Sequence, residues 1–179
     1  MEIWDIYDSN RVKTGRTCPR SEKLRDGGYD GDYMLVAMIL IFDTQGRMLI
    51  QKRPMHLGWE PGKWTMTAGG AVKAGETPSQ AAGRELYEEL GIKMDFAGKR
   101  PNFAMTNSNA FIDYFVVRAD INEAALAVPN EEVAAAKWIS KEELLEMIDR
   151  GASMPYRKPF VEFCFNVATH PKRDSTLSK

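Results

Sequence analysis

The ten residues "YMLVAMILIF", positions 33 to 42, constrain the fold more than any other stretch of the chain. The run is about half the ~20 apolar residues that a membrane-spanning helix needs. From Leu35 to Phe42 it is apolar without alternation, so a strand here must be covered on both faces, as in a sheet held between helices. The other elements are read around it. "DTQGR" turns the chain, "RMLIQKR" returns as a second strand, and the Gly/Pro/Trp loop "HLGWEPGKW" leads into a strand at "WTMTAGG". "NFAMTN", "AFIDYFVVRAD" and "VAAAKWIS" read as further strands. "SKEELLEMIDRG" reads as a helix with a capping box, Ser140 with Glu143, and a stop at Gly151. "KPFVEFCFNVAT" reads as another, with Pro159 in its first turn. The expected fold class is α/β: a mixed, largely antiparallel sheet with helices on both faces.

At the N-terminus "EIWDIYDSNRVKTGR" alternates apolar and polar residues around Asp8-Ser9-Asn10, the pattern of a β-hairpin, and the polar, glycine-rich "EKLRDGGYDGD" follows as a loop. The expected organisation is a hairpin and loop extension over 1–32, one domain over 33–170, and a tail over 171–179. A length of 179 residues suits one such domain at ~150 residues each. Lys and Arg number 24 against 25 Asp and Glu, so no global field calls for a nucleic-acid polymer or a membrane surface. Cys18 and Cys164 have no paired spacing, and the acidic start lacks a signal-peptide pattern; both point to a reducing, cytoplasmic setting.

Chemistry concentrates in "GGAVKAGETPSQAAGRELYEELGI", residues 69 to 92. Thr77, Pro78 and Gln80 start a helix, as N-cap, first-turn proline and capping-box partner, and Gly91 ends it. At ~100° per residue, Ala82, Leu86 and Leu90 form the stripe that faces the sheet. Glu85, Glu88 and Glu89 lie beside it on one arc, where like charges at these spacings cost a few tenths of a kcal/mol per pair. A divalent cation would offset that repulsion, since carboxylate oxygens are the hard ligands Mg²⁺ or Mn²⁺ prefers. A solvated acidic face with Arg84 and Lys93 as partial counterions is the plainer reading. Gly69 and Gly70 let the chain approach a ligand closely, and Glu76 is spaced to pair with Arg84.

The full spacing, Gly70, Glu76, Arg84-Glu85-Leu86, Glu88-Glu89 and Gly91-Ile92, resembles the Nudix box without a departure. Together with the hairpin, "DGGY", "LIQKR" and "GKWTMTAGG", it resembles the branch of that superfamily related to isopentenyl-diphosphate isomerase. The resemblance implies a Nudix α/β/α sandwich from about residue 33 to 167 and hydrolysis of a diphosphate linkage, in a nucleoside diphosphate derivative or a related small molecule, by water attack at phosphorus. It implies Mg²⁺, with Mn²⁺ as a substitute, held by Glu85, Glu88, Glu89 and the carbonyl of Gly69, while Gly70, Glu76, Arg84 and Gly91 build the motif. Glu85, Glu88 and, in "NEEVAAAKWIS", Glu132 are the candidate catalytic carboxylates, Glu132 also as an extra metal ligand. Lys52 and Arg53 are candidates for binding phosphate. Trp59, Trp64, Phe111 and Tyr114 are either stacking groups or core. The expected partner is a small-molecule diphosphate, and the hairpin offers a surface for a homodimer.

Two rival readings differ in class. An isomerase needs an acid and a base on opposite sides of its substrate, and those isomerases place a cysteine near the strand before the box, where "WTMTAGGAV" has none. A nucleotide-sensing module would commonly lack a box glutamate, and none is missing here.

Overall fold

The computed structural model describes residues 2–20, 31–107 and 109–169. Most of the loop expected over 22–32, and the tail expected from 171, lie outside these residues. The chain divides into two compact units, one built from Met1–Ile39 and Ala68–Phe115, the other from Leu40–Thr67 and Val116–Lys179.

In the first unit β1 (Ile3–Tyr7) and β2 (Lys13–Pro19) form the expected antiparallel hairpin, in register Ile3 with Pro19 and Trp4 with Cys18. Asp8 fixes its turn by accepting from the amides of Asn10 and Val12 at 2.9 and 2.8 Å. Trp4 and Ile6 are buried against Cys18, Met34 and Ala71, so the hairpin has a small core of its own with the start of β3 (Met34–Phe42) and the end of β6 (Ala68–Ala71). β3 pairs antiparallel with β6 from Val36–Ala71 to Ile39–Ala68. β7 (Phe103–Thr106) pairs antiparallel with β8 (Ala110–Arg118), where Phe103 and Tyr114 stack with centroids 4.5 Å apart. β8 neighbours β3 and runs in the same direction: Met34 N donates to Asn109 O near their starts, and Ala119 N to Phe42 O near their ends. That pairing makes the sheet mixed. Helix α1 (Pro78–Leu90) lies on β6, and its Ala81, Ala82, Leu86 and Leu90 are fully buried.

In the second unit β4 (Met48–Lys52) is central, with Ile50 opposite both Met66 of β5 (Trp64–Met66) and Lys137 of β9 (Ala135–Ile139). Its residues Met48, Leu49 and Ile50 have no exposed surface. Helix α2 (Lys141–Asp149) carries the expected capping box, Ser140 with Glu143, and packs on α3 (Lys158–Thr169), whose Phe165 meets Phe42 edge-on at 5.0 Å. A short 3-10 turn at Glu123–Ala125, capped by Asn122, has no counterpart in the sequence reading.

The single strand expected at "WTMTAGG" is two strands. Thr67, fully buried, interrupts it: its hydroxyl donates to Leu49 O at 2.6 Å and accepts from Ile41 N at 2.9 Å. The side chain takes backbone partners that a continuous ladder would otherwise use, so β5 pairs with β4 and β6 pairs with β3. Among the described residues no helix is long and apolar enough to cross a membrane.

Candidate active site

Helix α1 begins as its sequence requires. The Thr77 hydroxyl accepts from Gln80 N, Thr77 N donates to the Gln80 carboxamide oxygen at 2.9 Å, and Pro78 occupies the first turn. It ends at Gly91, left-handed at φ 72°, whose amide reaches back to Leu86 and Tyr87. Both ends being fixed, the glutamates have defined places. Glu85 and Glu89, one turn apart, are only 7% and 9% exposed, whereas the Glu88 side chain is 42% exposed at the rim. The single arc expected from periodicity is therefore two buried carboxylates and one exposed one.

Glycine makes that burial sterically feasible. A Cβ on Gly70 would stand 2.5 Å from Glu85 Oε1, and one on Gly69 would meet Ala37 O at 2.6 Å. Gly69 also donates its amide to Glu89 Oε2 at 3.0 Å. The paired glycines thus remove bulk beside one carboxylate and supply a donor to the next.

Arg84 organises the rest. Its Nε and Nη2 grip Glu76 in a two-point pair at 2.8 and 2.9 Å, Nη2 also donates to Ala71 O, and Nη1 reaches Glu85 at 2.5 Å and Glu88 at 3.0 Å. Hydrogen bonding to Glu76 first, and then to Glu85, holds the guanidinium charged more firmly than in water. Burial pushes the Glu76 carboxyl up, but its bonds to Arg84 and to Lys73 N outweigh this and leave it below the ordinary carboxylate value. Lys73 Nζ stands 3.7 Å from Glu88. Lys93 instead lies over the ring of Tyr87 at 5.4 Å.

A NUDIX domain model matches residues 32–160. An uncharacterized Nudix hydrolase of Listeria monocytogenes, lmo0368, is 41% identical over 87% of this chain and 90% of its own. The chain belongs to the Nudix family. A second relative, an isopentenyl-diphosphate Delta-isomerase of Streptomyces coelicolor, is 29% identical over 80% of this chain and 74% of its own. Among solved structures DR0079 of Deinococcus radiodurans superposes with a TM-score of 0.74 at 24% identity, covering 91% of this chain and 99% of that one. The MutT protein of Methanosarcina mazei Go1 gives 0.58 at 21% identity, covering 77% of this chain and 96% of that one. The fold class expected from the sequence is thereby established, and the family makes this chain a relative of hydrolases.

Nudix hydrolases generally use divalent metal ions, and the residues of this Nudix chain fit one. Glu76, Glu85, Glu88 and Glu89 outnumber the cations Arg84 and Lys73 by two, and all their donors are the carboxylate oxygens such an ion takes. The space beside Glu85 is the one a Cβ on Gly70 would fill. Among the described residues no three acidic, His or Cys side chains already surround one point, because Glu85 and Glu88 are drawn to Arg84 and Glu89 to Gly69 N.

The structure brings together Gly69, Gly70, Glu76, Arg84, Glu85, Glu88, Glu89 and Gly91 in the first unit. Glu132, Lys52 and Arg53 belong to the second. Glu132 is exposed on a loop turned by Asn130, whose side chain accepts from Glu132 N and Val133 N at 2.8 Å. That loop adjoins the end of β4, since Ala134 N donates to Lys52 O. Arg53 lies over Trp59 at 5.3 Å and donates to its carbonyl. Of the four aromatic candidates, Phe111 and Tyr114 are core and Trp59 is 53% exposed, while Trp64 carries Lys137 over its ring. Lys73 was missed: it precedes the glutamate helix in a stretch where only Glu76 stood out, and its contact with Glu88 depends on how the loop folds back.

Proposed function

We propose that this protein hydrolyses a diphosphate linkage in a nucleoside diphosphate derivative or a related small molecule, with Mg²⁺, or Mn²⁺ in its place, held by Glu85, Glu88, Glu89 and the carbonyl of Gly69. The observation that carries this reading is the excess of carboxylate on one helix face, two members of it buried beside glycine. When bound, the cation neutralises diphosphate oxygens and makes the attacking water more acidic. Glu85 and Glu88, both within reach of Nη1 of Arg84, would hold it, and the bonds of Arg84 to Glu76 and Ala71 O tie helix to loop. Of the candidate catalytic carboxylates Glu85, Glu88 and Glu132, Glu85 on the helix would take the proton of the attacking water, with Glu132 as the alternative. Lys52 and Arg53 bind phosphate oxygens. Neither Cys18 nor Cys164 forms a disulfide, which fits the cytoplasm.

The isomerase named among the relatives is the competing reading. Against it, β5 and β6 contain no cysteine, and Cys164 is fully buried with its thiol pushed up to about 12 by that burial. The test is phosphate and pyrophosphate release from nucleoside diphosphates, ADP-ribose, sugar nucleotides and isopentenyl diphosphate, with Mg²⁺ and with chelator. Chelator-sensitive release from one class is expected. In Glu89→Gln that release should fall by about 100-fold or more, with the fold intact because the carboxamide oxygen still accepts from Gly69 N. Full activity in Glu89→Gln removes that ligand from the scheme, and rearrangement of isopentenyl diphosphate without cleavage transfers the assignment to the isomerase.

A further inference from the structure

Five consecutive amides precede the glutamate helix, and each has an acceptor. Val72 N donates to Leu35 O, Lys73 N to Glu76 Oε2, Ala74 N to Ile3 O, Gly75 N to Asp5 Oδ2 and Glu76 N to Lys73 O, at 2.8 to 3.0 Å. Two of the five acceptors, Ile3 O and the Asp5 carboxylate, belong to the first strand of the N-terminal hairpin. Trp4 forms a bridge with Lys73 in the same place. The hairpin is therefore part of how the loop between β6 and α1 is held. Of these hairpin contacts only Asp5 acts through a side chain, and it is itself fixed by Lys13 Nζ at 2.6 Å.

The loop so fixed transmits position to the glutamates by two routes. Glu76, anchored on Lys73 N, sets the guanidinium of Arg84, which contacts Glu85 and Glu88. Lys73 places its ammonium against Glu88 directly. Gly75 sits at φ 82° with open space around it, so no packing restrains it if its amide is released. A released Gly75 would loosen both routes together.

We propose that Asp5 is a positioning residue for the glutamate site, acting through Gly75 N to hold the loop Val72–Glu76 in the form that presents Arg84 and Lys73 to the carboxylates. This rests on the reading of that site as a divalent-cation site. Asp5 reaches the glutamates only through Gly75 and the loop, and its effect should fall on metal affinity more than on the fold.

The test compares full-length wild type with Asp5→Ala, Asp5→Asn and Lys13→Met by NMR-detected amide exchange without metal, by Mn²⁺ binding calorimetry, and by the metal dependence of turnover. In Asp5→Ala the Gly75 amide should exchange at least ~10-fold faster, and the Mn²⁺ dissociation constant should rise about 10-fold, the lower end of the range for residues that support metal ligands from behind. Asp5→Asn keeps an acceptor for Gly75 N and should stay near wild type in both, as should Lys13→Met, which removes only the ion pair. Exchange of the paired β3 and β6 amides, in the same unit as Asp5, reports whether each variant is folded. If Asp5→Ala fails that control, Asp5→Val, with a strand-forming side chain and no acceptor, replaces it. Wild-type Mn²⁺ affinity in Asp5→Ala, or equal losses in Asp5→Ala and Lys13→Met, overturns the proposal. A wild-type protein that binds no Mn²⁺ overturns the underlying reading of the site as well, and is told apart by the unmutated protein alone.

Discussion

Arg84→Met removes five hydrogen bonds at once while keeping much of the apolar stem. The loss can be sized from exposure. Arg84 is 17% exposed, Glu76 21% and Glu85 10%, so two largely buried carboxylates lose their counterion. Breaking a buried pair by removing one partner costs 3–5 kcal/mol, and the residual exposure of Glu76 and Arg84 argues for the lower end, about 3 kcal/mol or roughly 6–12 °C in Tm for a domain of this size. Exposed Glu88 adds little. The pH dependence fixes the cause. Glu76 is held below its ordinary value of 4.5 in the folded protein, so its contribution is fully present above that value and disappears as pH falls through the lowered one. The gap between wild type and Arg84→Met in urea unfolding should thus be full at pH 7 and narrow below pH 4.5. A gap under about 1 kcal/mol at pH 7, or one that persists unchanged into acid, refutes the argument that Arg84 stabilises by pairing with Glu76.

Three other outcomes follow from single contacts. Gly70→Ala puts a methyl 2.5 Å from Glu85 Oε1 and should cost about 1–3 kcal/mol in thermal unfolding while weakening metal binding, because Glu85 must move. Thr67→Val keeps the shape but leaves Ile41 N without its acceptor, so urea unfolding should show a loss of about 1–3 kcal/mol. Cys164 has no exposed surface and a thiol pushed up to about 12, so iodoacetamide at pH 8 should leave it unlabelled in the native protein and modify it after denaturation, as mass spectrometry of the peptide would report.

Much of the glutamate helix is legible in the sequence because its signals are local. The capping box spans four residues, the stop glycine follows the last turn, and Glu76 with Arg84 is a spacing that a loop and two turns of helix close by themselves. Helical geometry converts such spacings into positions without knowledge of the rest of the chain. The split of the carboxylates is less legible. Period alone sets Glu85, Glu88 and Glu89 on one arc; that Glu85 is buried beside the bare Cα of Gly70 and Glu89 against Gly69 N, while Glu88 is not, is set by the strand across from them. The glycines were visible as freedom of approach, but not what they approach.

What the sequence withheld is what depends on distant partners. Thr67 divides a strand because its hydroxyl finds Leu49 O and Ile41 N, 18 and 26 positions away, and nothing in "WTMTAGG" distinguishes it from a threonine on an ordinary strand. Asp5 meets Gly75 across 70 positions, and in the alternating pattern of the hairpin it reads as one more polar residue. Phe111 and Tyr114 are core while Trp59 is exposed beneath Arg53, a difference that aromatic character alone does not make. The division has a consequence for function. The family rests on a short contiguous motif and so can be read early, whereas the substrate preference of the proposed activity would rest on loop side chains that the motif does not place. Trp59 and Arg53, stacked and partly exposed on one loop of the second unit, are where that choice should first be sought.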